Sequence, residues 1–116
     1  MGRSGRRRNM VKQGDIIIVD FDPSVGHEQQ KTRPALVVST NKYQKYCGHF
    51  AIVCPISHAN DFPLNIPLPD GLKTTGKVLC GHLRYMDINA RNYRYVESVD
   101  QAFLNYILQI CKSFFD

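Results

Sequence analysis

Two short apolar runs constrain this chain more than any other feature: Ile16-Ile17-Ile18-Val19, closed by Phe21, and Ala35-Leu36-Val37-Val38. Both are rich in β-branched residues and too short for a buried helix, so each reads as a strand. Between them lies Asp22 to Arg33, mostly polar and longer than a hairpin turn requires. Loops of that length in a small domain are usually either functional or disordered. This one carries Asp22, His27, Glu28, Lys31, Thr32 and Arg33. Pro34 fixes the backbone behind Arg33 and biases that arginine toward extended geometry. An arginine so placed stands at the mouth of a strand, where a sheet can aim it.

The rest of the chain continues in short pieces. Thr40 to Tyr46 reads as a polar turn or short helix with Asn41 as its N-cap. His49 to Ile56 is a third buried strand, followed by a loop from Ser57 to Asp61. Phe62 to Leu68 contains Pro63 and Pro67, which cannot donate to a ladder, so it reads as an edge or irregular strand. Pro69-Asp70-Gly71 signals a turn. Lys77 to Met86 reads as one long strand, with Gly81 marking a bulge or a close approach. Asp87 to Asn92 is a connection and Tyr93 to Val96 a short strand. The last element is a helix, opened by a Ser98–Gln101 capping box. Phe103, Ile107, Ile110, Cys111 and Phe114 recur along one face of it at helical spacing. Many short strands and one helix argue a mainly β fold: a small, strongly curved antiparallel sheet or barrel.

At 116 residues the chain has room for one core. No apolar run approaches the roughly 18 residues a membrane span needs, and the basic start lacks the apolar stretch of a secretory signal. Arg3, Arg6, Arg7 and Arg8 supply four of the 15 cations, leaving 11 against 10 carboxylates, a net +1 of the overall +5. Residues 1–11 therefore read as a flexible basic tail and 12–116 as the folded domain. The tail is either natural or a leader, with Met10 an alternative start. Cys47, Cys54, Cys80 and Cys111 lack the paired spacing of a zinc site. Three of them sit in apolar runs and read as buried thiols of a cytoplasmic protein.

FDPSVGHEQQKTRPALVVS closely resembles the opening of the MazF/PemK-type toxins, the ribosome-independent mRNA interferases of bacterial toxin–antitoxin pairs. The resemblance runs from about Lys12 to Phe115. It implies an SH3-like, PemK-type antiparallel barrel with a C-terminal helix, assembled as a homodimer. It also implies an acidic antitoxin, whose extended tail covers a groove built for polyanions. The activity implied is sequence-specific cleavage of single-stranded mRNA by attack of the RNA's own 2′-hydroxyl, giving a 2′,3′-cyclic phosphate and a 5′-hydroxyl. That chemistry calls for no metal or cofactor: one proton is taken, one is given, and charge on the phosphate is stabilised.

Arg33 matches the arginine that family members use in catalysis, and its planar fork suits phosphate oxygens. Ser57 falls where the family usually has threonine and keeps the hydroxyl. His27, in a literal GHEQQ, is an auxiliary acid–base candidate; Glu28 orients Arg33 or the loop. Phe21, Asp22, Pro23 and Ser24 are candidates for meeting splayed bases. His82 is a candidate donor or base reader, and Arg84 a candidate phosphate contact. Relatives usually carry Asp-Gln at Gly81-His82, and the nearest branch has an arginine at Leu79; neither of those roles carries over. Two rival readings are a non-catalytic RNA- or antitoxin-binding module and a gyrase poison, since a sister family uses the same barrel.

Overall fold

The computed structural model describes residues 11–21 and 32–116. Seven strands and two helices follow in order: β1 (Asp15–Asp20), β2 (Thr32–Val37), α1 (Asn41–Cys47), β3 (Phe50–Ser57), β4 (Asn65–Pro67), β5 (Lys77–Leu79), β6 (Arg84–Asp87), β7 (Arg94–Ser98) and α2 (Gln101–Ser113). All the strand pairs are antiparallel.

The strands form one sheet along the path β4-β5-β3-β2-β1-β7, and β6 also pairs with β3. Among the described residues β4 and β7 do not pair with each other, so the sheet is open where a closed barrel was expected. The fold is otherwise the mainly β sheet with a C-terminal helix that the sequence implies. β4, at one end of the path, is the proline-bearing segment read as an edge strand; it has only three residues, and Pro67 has no amide proton to offer a further neighbour.

The central strands are buried on both faces, which is why they read as continuous apolar runs rather than alternating ones. Ile17, Val19, Ala35, Val37, Ala51 and Val53 point to one core, which Phe21, Met86, Ile88 and the partly buried Tyr93 complete. Ile16, Leu36, Cys54 and Ile56 point to the other core, shared with Val78, Cys80 and, from α2, Ile107 and Cys111. Cys54, Cys80 and Cys111 are free thiols in this second core. Hydrogen bonds with Cys111 and Cys80, together with burial, push the Cys54 thiol well above its ordinary range.

Three local expectations are corrected. The segment read as one strand from Lys77 to Met86 is broken by a 3-10 turn over Cys80–His82. β5 and β6 lie one after the other along the same edge of β3, and the turn steps between them. A Cβ on Gly81 would come 3.2 Å from Leu64 Cδ1, so the close approach there is to a side chain. The cap of α2 is Asp100, whose carboxylate accepts from the Phe103 amide at 2.7 Å. Ser98 ends β7 instead and donates its hydroxyl to Asp15 at 2.9 Å. The cap of α1 is Thr40, which accepts from the Tyr43 amide; Asn41 accepts from the Gln13 amide instead.

Candidate active site

The site begins where a ladder stops. β2 and β3 pair through Val37↔Val53, Leu36↔Cys54 and Ala35↔Pro55. Continued, that register would set Pro34 against Ile56 and Arg33 against Ser57, but neither pair forms. β3 instead takes β5 on its other edge, as Ile56↔Val78 and Ser57↔Lys77. The ladder alternates from the Val38 amide on the Ile52 carbonyl, so its next bond would need an amide proton at Pro34 facing Ile56, and proline has none. The strands part, and a cleft of about 600 Å³ opens between them.

Its less exposed lining is apolar: Ile18, Pro34, Ile56 and Val96. Its rim is polar: Arg33 from β2, Ser57 and His58 from the end of β3, Lys73, Thr74 and Thr75 from the β4–β5 connection, and Arg94 from β7. Arg94 is set there by the sheet, because it pairs with Ile18, which pairs in turn with Pro34. Cross-strand partners present their side chains on one face of a sheet. Three cations therefore meet three hydroxyls and an imidazole, and no carboxylate lines the cleft among the described residues.

The rim is held from behind. Glu97 of β7 accepts the Lys73 amide at 3.0 Å, the Thr74 amide at 2.8 Å and the Thr74 hydroxyl at 2.7 Å. Burial pushes its carboxyl upward, but the Thr74 hydroxyl, the two amides and the Lys73 charge outweigh it and hold the group below the ordinary glutamate range. The Thr75 hydroxyl lies 3.1 Å from His58 Nε2. Gly76 has φ +120°, and a Cβ there would sit 3.0 Å from the Ser57 carbonyl oxygen. Only glycine allows that turn to press against the strand end that presents Ser57. Lys77 Nζ reaches the Ala59 carbonyl at 2.7 Å and Asp61 at 3.0 Å, fixing the segment just past His58.

Of the residues singled out from sequence, Arg33 and Ser57 come together in this cleft. Phe21 and Arg84 form a separate pair. Phe21 is buried in the first core, and the Arg84 guanidinium lies 5.1 Å from its ring centre, so its face is already covered. His82 is exposed on the 3-10 turn, away from the cleft lining. Asp22, Pro23, Ser24, His27 and Glu28 lie outside the described residues. The structure adds His58, Thr75, Lys73 and Arg94 to the rim and Glu97 behind it. Only His58, adjacent to Ser57, had a signal in the sequence. The others arrive from distant strands and connections.

A cationic, hydroxyl-lined cleft with an apolar floor can seat a phosphodiester and the sugar or base beside it. A family model described as "PemK-like, MazF-like toxin of type II toxin-antitoxin system" matches residues 12–115. The chain is 32% identical over 108 residues to endoribonuclease PemK of Escherichia coli, covering 89% of this chain and 80% of that one. It is 36% identical over 92 residues to the endoribonuclease toxin ChpB of Escherichia coli K12, covering 73% and 77%. Among solved structures, a MazE–MazF crystal structure from Deinococcus radiodurans superposes with a TM-score of 0.81 at 28% identity, covering 90% of this chain and 95% of that one.

Proposed function

The chain belongs to the PemK-like, MazF-like toxin family, and from that premise we propose that it is the endoribonuclease toxin of a toxin–antitoxin pair. It cuts single-stranded mRNA in the cytoplasm at a preferred sequence, by in-line attack of the 2′-hydroxyl, leaving a 2′,3′-cyclic phosphate and a 5′-hydroxyl. Arg33 stabilises the charge that builds on the phosphate, and Ser57 positions the phosphate with its hydroxyl. His27 assists from the adjoining loop, and Glu28 orients that loop. The observation that supports this reading most is the fork at the end of β2 and β3. It brings Arg33 and Ser57 to one cleft together with two further cations.

A second copy of the chain and an acidic antitoxin are the partners of this reading. An acidic peptide fits the same rim for the same electrostatic reason that RNA does. The four arginines among residues 1–9 add nonspecific attraction to RNA, whereas Val11 is already buried in the first core.

The test is digestion of a long transcript by purified protein in EDTA, mapped by primer extension. The reading requires discrete cuts with cyclic-phosphate ends, lost in Arg33→Ala. Removal of a group that stabilises transition-state charge typically costs about 10²–10³ in rate. Intact RNA that still binds would replace the enzyme with a binding module. Inhibited supercoiling without RNA cleavage would replace it with a gyrase poison.

A further inference from the structure

We propose that His58 is the base that takes the proton from the attacking 2′-hydroxyl, an assignment that rests on the ribonuclease reading above. The cleft is rich in cations and hydroxyls and poor in proton acceptors. Arg33, Lys73 and Arg94 can stabilise negative charge, and Ser57, Thr74 and Thr75 can donate hydrogen bonds. None of these accepts a proton readily at neutral pH. Glu97 stands behind the rim, with its oxygens already occupied by Lys73 and Thr74. Leu79 and Gly81 are not on the cleft lining and have no proton-transferring side chain. Among the described residues that line the cleft, His58 alone has the chemistry of a base.

Its placement fits the task. His58 directly follows Ser57 at the end of β3, and its side chain is exposed to the cleft. The Thr75 hydroxyl fixes one side of the ring at 3.1 Å from Nε2. Thr75 in turn adjoins Gly76, which presses on the Ser57 carbonyl. The ring and the Ser57 hydroxyl are thus held by one small framework. With Nε2–H donating to Thr75, Nδ1 keeps the lone pair that receives the proton. The charged groups sharing this end of the cleft are Arg33, Lys73 and Arg94, with Lys77 and Asp61 paired to each other at 3.0 Å nearby.

In the step itself, Nδ1 of His58 takes the 2′-hydroxyl proton as the 2′-oxygen bonds to phosphorus. The bond from phosphorus to the 5′-oxygen breaks, and that oxygen takes a proton from water. His58 then returns its proton to water.

The test compares wild type, His58→Ala and His58→Gln on a cleavable single-stranded RNA in EDTA, with kcat/KM measured from pH 5 to 9. Wild type is expected to gain activity with rising pH, through a limb that reports loss of the proton from the base. Both variants are expected to lose about 10²–10⁴-fold and the limb, to keep the wild-type circular dichroism and RNA affinity, and in His58→Ala to recover partly with added imidazole. A merely structural histidine would move none of the pH limb. The inference is overturned if the variants cut within a few-fold of wild type, or if the limb persists in them. It is overturned equally if His27→Ala, rather than His58→Ala, removes the limb. Failure of wild type itself to cut RNA removes the nuclease reading and this inference with it.

Discussion

A guanidinium at the strand fork is chosen for its shape as well as its charge. Arg33 is exposed and lines the cleft from the end of β2, so a bidentate grip on a phosphate is sterically open to it. Arg33→Lys keeps the charge and loses the fork, and should recover only part of the rate lost in Arg33→Ala. Single-turnover cleavage separates the two, because both variants retain attraction for RNA to different degrees. Ser57→Thr should stay active and Ser57→Ala fall, since the hydroxyl rather than its neighbouring methyl does the positioning. This scale was the most legible in the sequence. Arg33 was marked by the proline behind it, and Ser57 only by the resemblance, which puts a hydroxyl residue at its place. Phe21 was less so. Nothing local tells a ring at a strand end whether it meets solvent or, as here, a core capped by Arg84.

Elements were legible where periodicity spoke and misplaced where two residues competed for one job. The apolar runs gave β1, β2 and β3, and helical spacing gave α2. Ser98 and Asp100 are both able caps, but Ser98 is committed to the buried Asp15, leaving the helix to Asp100. Asp100→Ala should therefore cost about 1 kcal/mol, read by chemical denaturation, whereas Gln101→Ala should cost little. The Glu97 clamp on the β4–β5 connection was invisible in sequence, because its donors lie more than twenty residues upstream. Its carboxyl is held below the ordinary glutamate value, so its contribution to stability is complete above that value, roughly 4.3, and is lost as pH falls through the lower folded-state value. Glu97→Gln should cost about 1 kcal/mol near neutrality, the usual worth of a hydrogen bond. The gap between the two melting curves should close as pH is lowered below 4 or so.

At the scale of the whole molecule, charge is distributed for a polyanion even though residues beyond the first nine are close to neutral. Arg33, Lys73 and Arg94 come from three separate parts of the chain and meet only through the sheet. No window of sequence holds that cluster, which is why composition hid it. If all three contact phosphates, RNA affinity should fall with salt at a log–log slope of about −2, each contact contributing about −0.7. Arg94→Ala should flatten the slope by about one contact's share, measured by fluorescence anisotropy between low and high salt. Pro34 at the fork carries a last consequence. Pro34 keeps two strands from zipping further, so the working surface exists because a hydrogen bond was withheld there. Selection for rigidity at that spot, such as Pro34→Val, would knit the sheet together and seal its mouth: a sturdier protein, and a harmless one.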